Sequence, residues 1–403
     1  MDIFVQFASN LQRNPESLEG KVLTQTKSTK SDQILSQGYP IEIHEIETKD
    51  HYMVGMERIP YSKNNVNKTI GKPIILLHGL YGTSMFYTLT NKSLSFILSD
   101  AGFDVWLLNF RLAGISKYIK NPRTGMVTPL KNVSWNFSFD ELGIYDTTAG
   151  IDYILNKTGH DKLHMGGYSF GATICLIALA ERPEYNDKID KLILIVPTAR
   201  MKYYDRRLII LKIFPYLFHR PLRGLEYIPK MKQPDNQWFG NQCKNKKYMK
   251  WFCIYAMDVL QGNYLAIDYE TIDILKTYPQ PTSIKVMTHY YQLILADHFR
   301  KYDYGKKGNI KYYHSNTPPD YDLSKVMAAT YIYHSKYDVI APPKDIKWLI
   351  KRLPNVKNVT MVKKFSHMGF ATSPHLRPIN ILIAKQLLVD DCNNDMLSNK
   401  TYS

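Results

Sequence analysis

The chain has 403 residues, 44% of them hydrophobic and 22% charged, which excludes a disordered protein and leaves room for an elaborated α/β domain with a cap. A surplus of 52 Lys and Arg over 36 Asp and Glu gives a net charge of +16, suited to an anionic surface. The basic residues are dispersed, with no zinc-finger spacing, RNP-like aromatic motif or concentrated tract, so a generally basic surface is expected and a nucleic-acid partner is not.

Residues 1–33 are polar and read as an arm. Met1-Asp2-Ile3-Phe4-Val5-Gln6-Phe7 has no basic n-region and no sustained apolar core, so it does not read as a signal peptide. No apolar run reaches the ~18–20 residues of a membrane span. Sequons at Asn67, Asn91, Asn132, Asn136, Asn156, Asn358 and Asn399 point the other way, toward a secreted glycoprotein. Stretches 41–48 and 52–59 alternate apolar with polar residues around Lys49-Asp50-His51, the pattern of a hairpin. Then Pro73-Ile74-Ile75-Leu76-Leu77 is wholly apolar, as a strand buried on both faces of a parallel sheet must be. A helix is expected over 92–100, a second buried strand over 103–109, and a helix over 139–155 opened by Asp140 and Glu141.

A further strand at 162–166, a helix at 172–180 and a strand at 191–197 continue the alternation. Residues 199–325 break it: apolar residues are dense there but not strand-like, mixed with Arg206, Arg207, Arg220 and Arg223. A stretch that long is too large for a loop and reads as a helical cap, either covering the sheet or meeting lipid. Strand, helix, strand and helix return at 328–334, 345–353, 358–364 and 376–388. The expected class is therefore α/β: a mostly parallel sheet split into core segments 34–198 and 326–391, with the cap between them and a tail at 392–403. Cys175 is expected as a packing residue on the helix after 168, while Cys243 and Cys253 could close a small loop.

The chemistry centres on Gly167-Tyr168-Ser169-Phe170-Gly171. Gly-x-Ser-x-Gly is weak as a bare pattern. Between a strand and a helix it reads as a nucleophile elbow, a turn so tight that side chains two residues either side of the serine would collide with it. A serine hydroxyl needs a base, and the base an orienting carboxylate. Asp338 and His367 each follow a late strand, in the order nucleophile, acid, base, and chemistry in open parallel sheets gathers at the carboxyl ends of strands. Asp345 is the rival acid, but its place suits the first turn of a helix. Backbone N–H groups of Phe170 and of Leu80, in His78-Gly79-Leu80, are the expected oxyanion donors. His78 precedes the nucleophile and is not the expected base. Neither a metal nor an organic cofactor is required.

The chain resembles the acid lipase family, which contains gastric lipase and lysosomal acid lipase. The resemblance spans about 34–388 and is carried by Gly38-Tyr39-Pro40-Ile41-Glu42-Ile43-His44, Arg58-Ile59-Pro60, His78-Gly79-Leu80, the stretch 93–107, Trp135-Asn136-Phe137-Ser138-Phe139-Asp140-Glu141, Tyr145-Asp146 and the elbow. It implies the same nucleophile, acid, base and oxyanion donors, a cap at about 199–325, and a cap disulfide similar to a Cys243–Cys253 pair. It further implies hydrolysis of triacylglycerols or cholesteryl esters at a lipid–water interface or anionic membrane surface, by a secreted or lysosomal protein. The chain departs from the family at the elbow, where Tyr168 and Phe170 replace His and Gln. It has Leu112 and His51 where the family has glycines, Pro342 where it has Asp shortly after the acid, and His367-Met368-Gly369-Phe370 after the base. Two other readings share the fold: a weak or inactive lipid-binding protein, and a short-chain ester hydrolase.

Overall fold

The wholly apolar stretches become the middle of one sheet because, in a parallel array, helices cover both faces and leave few positions in contact with water. A computed structural model of the chain describes residues 33–116, 118–120, 127–128, 134–204, 227–228, 280–363 and 365–389. Six strands run parallel: β4 (Asp104–Asn109), β3 (Pro73–Leu77), β7 (Leu163–Tyr168), β8 (Ile189–Ile195), β11 (Ala329–Ser335) and β12 (Val356–Val362), neighbours in that order. Every residue of β3, β4, β7 and β11 is buried.

The expected hairpin is present as β1 (Glu42–Glu47) and β2 (Tyr52–Ile59), antiparallel with Glu47 opposite Met53. β2 lies antiparallel to β4, and two short strands, β5 (Tyr118–Lys120) and β6 (Val127–Thr128), extend this edge to a ten-stranded sheet. The hairpin is tied to the core by Arg58, whose Nε donates to Asp104 Oδ1 at 2.8 Å and whose Nη1 donates to Glu42 Oε2 at 2.8 Å.

Helices close the faces. α1 (Leu94–Asp100) and α9 (Leu376–Leu388) pack together, while α4 (Phe170–Glu181), apolar all round, is buried along nearly its whole length. Cys175 is buried there as expected, and burial pushes its thiol pKa up. The single helix expected over 139–155 is instead three pieces: α2 (Phe139–Glu141), a π-helical segment (Leu142–Thr147) and α3 (Thr148–Thr158). Thr147 Oγ1 donates to the Leu142 carbonyl at 2.9 Å across the widened turn. Within this segment Asp146 takes the Arg111 N–H and Nε at 2.8 Å each, and Asp50 takes the two terminal guanidinium nitrogens at 2.6 and 3.0 Å. Burial pushes the Asp146 pKa up, and the Arg111 guanidinium offsets part of that rise.

Of the region 199–325, the described parts are its entry at 199–204, the short pair β9 (Tyr227–Ile228) and β10 (Thr282–Ser283), α5 (Ile284–Ala296), α6 (Gly305–Tyr313) and the return to β11. α5 buries Val286, His289, Tyr290 and Leu293 against the core. Most of the expected cap's interior, and the whole Cys243–Cys253 pair, fall on residues outside those described. No described helix is long and apolar enough to cross a membrane. α7 (Pro343–Ile350) starts two residues before the expected 345, because Pro343 takes the first helical position, where no N–H is needed. A final short helix, α8 (Gly369–Thr372), follows His367 directly.

Candidate active site

The elbow forms where β7 gives way to α4. A Cβ on Gly167 would sit 2.5 Å from the Gly171 carbonyl carbon, and one on Gly171 would sit 2.8 Å from the His78 carbonyl oxygen. No side chain fits either place, so the spacing read from sequence is a steric requirement of this turn. Ser169 itself has φ 53° and ψ −112°, a conformation L-residues avoid at a cost of about 1–3 kcal/mol. It persists because Ser169 N–H donates to Ile195 O at 2.8 Å, and its own carbonyl accepts from Thr173 N–H at 3.1 Å.

Three more non-glycine residues with positive φ lie just beyond strand carboxyl ends: Tyr81 (57°) after β3, Leu112 (62°) after β4 and Val196 (44°) after β8. Strain thus gathers at the edge where Ser169 stands. Leu112 and His51 (70°) are also the two places where the chain lacks the family's glycines, and both backbones keep the conformation glycine favours.

The structure brings Ser169, His367 and Asp338 together from the ends of β7, β12 and β11. Ser169 Oγ lies 2.7 Å from His367 Nε2, and His367 Nδ1 lies 2.8 Å from Asp338 Oδ2. A carboxylate can only accept, so the ring hydrogen sits on Nδ1 and Nε2 is free to accept from the serine hydroxyl. Asp338 is 3% exposed, and its other oxygen accepts from Ile340 N–H at 2.8 Å and Ala341 N–H at 2.7 Å. Those two fixed donors compensate the buried charge and orient the carboxylate. Ser335 Oγ donates to the Phe365 carbonyl, joining the loop that carries Asp338 to the loop that carries His367.

Phe170 occupies the first turn of α4, where main-chain N–H groups have no intrahelical acceptor. Its side chain is buried, with ring centroids 5.1 Å from Phe139, 5.6 Å from Tyr290 and 5.8 Å from Phe110. Leu80 follows the carboxyl end of β3. Its loop is held by Gly82 N–H donating to Gly79 O at 3.0 Å and by Gln280 N–H donating to Tyr81 O at 2.8 Å, a link to the segment returning from 205–279. His78 is engaged on both ring nitrogens: Nδ1 donates to Gly79 O at 2.8 Å and Nε2 accepts from Phe110 N–H at 3.2 Å. It is a brace for this loop. Asp345 sits in the first turn of α7, as expected, and accepts Tyr203 N–H at 3.0 Å, making no hydrogen bond to His367; burial pushes its carboxyl up to about 6. No group of three or more His, Cys, Asp or Glu among the described residues could hold a metal ion.

Two contributors were not singled out from sequence. Thr173 Oγ1, Thr198 Oγ1 and Tyr290 OH form a buried chain at 3.0 and 2.9 Å beneath the elbow. In the sequence Tyr168 stands out only as a departure from the family, yet its hydroxyl donates to the His367 carbonyl at 2.9 Å. No spacing rule could have found a partner 199 positions away.

Residues 72–374 match the alpha/beta hydrolase fold model, and residues 31–91 match a partial alpha/beta-hydrolase lipase region. The gastric triacylglycerol lipase of Mus musculus is 33% identical over 350 residues, covering 84% of this chain and 86% of the relative. Lipase member K of Homo sapiens is 31% identical over 84% of this chain and 85% of that one. Among solved structures, a soluble variant of monoglyceride lipase from Saccharomyces cerevisiae superposes with a TM-score of 0.54 at 14% identity, covering 87% of this chain and 95% of that one. At that identity the likeness concerns the fold alone.

Proposed function

The chain belongs to the lipase family of the α/β-hydrolase fold and is an ester-hydrolysing enzyme; from that premise we propose that it cleaves neutral lipid esters, triacylglycerols or cholesteryl esters, through an acyl-enzyme on Ser169. The observation that carries this reading is the unbroken line of hydrogen bonds from Ser169 Oγ to His367 Nε2 (2.7 Å) and from His367 Nδ1 to Asp338 (2.8 Å).

In this mechanism Ser169 Oγ attacks the ester carbonyl carbon while His367 Nε2 takes its proton, and Asp338 holds the imidazolium that results. The carbonyl oxygen becomes an oxyanion, received by the Leu80 and Phe170 N–H groups, each worth about 10²–10³ in rate. The tetrahedral adduct collapses, the C–O bond to the alcohol breaks, and His367 gives the alcohol its proton. Water then repeats the sequence on the acyl-Ser169 ester and releases the acid. The cap, placed at 199–325 between core segments 34–198 and 326–391, would hold the acyl chain, and the basic surface would favour an anionic lipid–water interface. The related gastric lipases support a secreted or lysosomal setting, in which a Cys243–Cys253 disulfide could persist.

The test is labelling of the purified protein by a fluorophosphonate probe beside Ser169→Ala. Labelling of the wild type alone is expected; an unlabelled, folded wild type overturns the esterase reading in favour of lipid binding without chemistry. Hydrolysis rates across ester chain lengths then separate a lipase from a short-chain esterase.

A further inference from the structure

Tyr168 ends β7 directly before Ser169, and it is 3% exposed. From that position its side chain reaches two other loops. Its hydroxyl donates to the main-chain carbonyl of His367 at 2.9 Å and lies 3.3 Å from Met368 Sδ. Its ring lies beside the imidazole of His367, with centroids 5.8 Å apart. The opposite contact is with the loop of Leu80: a Cβ on Gly79 would come within 2.9 Å of Tyr168 Cδ1, and Phe86 packs on the ring at 5.5 Å. One side chain therefore touches the elbow, the segment carrying His367 and the segment carrying an oxyanion donor.

We propose that Tyr168 is a positioning residue for ester hydrolysis, its hydroxyl anchoring the His367 backbone so that the imidazole stays in line between Asp338 and Ser169, and its ring seating the Gly79–Leu80 peptide. This rests on the esterase reading. The physical reason is leverage. His367 lies on a short loop between β12 and α8, and its ring is aligned by two side-chain bonds. A main-chain anchor beside those bonds removes the backbone freedom that would let both lengthen together. Small misplacements of reacting groups cost rate far out of proportion to the stability they represent.

Tyr168→Phe deletes the hydroxyl and keeps the ring. Tyr153→Phe, which deletes a hydroxyl bonded to His44 of β1 at 2.9 Å, serves as control. With p-nitrophenyl butyrate, Tyr168→Phe is expected to lower kcat about tenfold with KM within a factor of about two, and the fluorophosphonate labelling rate by the same factor. Its melting temperature should fall no further than that of the control. The downfield proton resonance of His367 Nδ1–H should shift or broaden in Tyr168→Phe and stay in place in the control. A kcat and labelling rate within twofold of wild type, a change in KM alone, or an unmoved resonance overturns the proposal. If the wild type labels with no probe, the esterase reading falls. The resonance then still decides whether Tyr168 aligns His367. Should Tyr168→Phe prove unstable, Gly79→Ala presses on the same ring from the other side and is read by the same resonance.

Discussion

Two aspartates with buried carboxylate oxygens, Asp338 at the candidate active site and Asp140 where α2 begins, are met by different donors. Asp338 receives two main-chain N–H groups on one oxygen and the His367 ring on the other. Asp140 has an Oδ1 with no hydrogen-bond partner, and burial, only partly offset by Lys301, pushes its carboxyl up to about 7. Asp146, wholly buried, takes the Arg111 N–H and Nε at 2.8 Å each, and burial still leaves its pKa raised. Burial raises a carboxyl pKa, and the donors and cations that accompany it set how much of that rise is offset.

The largest test of that contrast is Asp338→Asn, which keeps the shape and removes the charge that orients the imidazole. We expect kcat for a short ester to fall by about 10⁴ with little change in melting temperature. An effect under tenfold would mean that Asp338 is not the working acid. Next, Arg111→Met strands Asp146 in the interior, and denaturant unfolding should show a loss of about 3–5 kcal/mol.

Asp140→Asn probes the other member. A carboxyl whose pKa is raised on folding binds its proton more tightly in the native state, so the native state loses stability as pH rises from about 4, the unfolded value, through about 7. The asparagine variant lacks that slope. Its advantage over wild type should be near zero at pH 4 and grow to a few kcal/mol, on the order of 1.4 per pKa unit, at pH 7. Taking the difference between variant and wild type cancels the opposing slope of His164 and His289, whose rings burial holds down at about 3. A pH-independent difference would contradict the assignment. Smallest of all, Lys301→Met removes the cation that lowers the Asp140 pKa, and the midpoint of the same difference curve should move upward from 7.

The sheet was readable from sequence because its strands are buried on both faces, and a run such as Pro73–Leu77 has no other home. The elbow was readable because Gly167 and Gly171 answer to local sterics within five residues, and Ser169, Asp338 and His367 because each follows its own strand in a fixed order. The helix expected from 345 starts at Pro343, and the one expected over 139–155 is split by the π-helical turn at Leu142–Thr147, features that apolar periodicity does not encode. The left-handed backbones at His51 and Leu112 were visible only as missing glycines, since a sequence states which residue is present and not the φ it is made to adopt. What composition, periodicity and spacing determined was therefore everything local: elements, their order, and the residues at strand ends. Tertiary structure alone decided which donors meet each buried carboxylate, and that the Tyr168 hydroxyl meets the His367 carbonyl. Such contacts join residues far apart in the chain through directional bonds a few ångströms long, and only the packed sheet brings their ends into range.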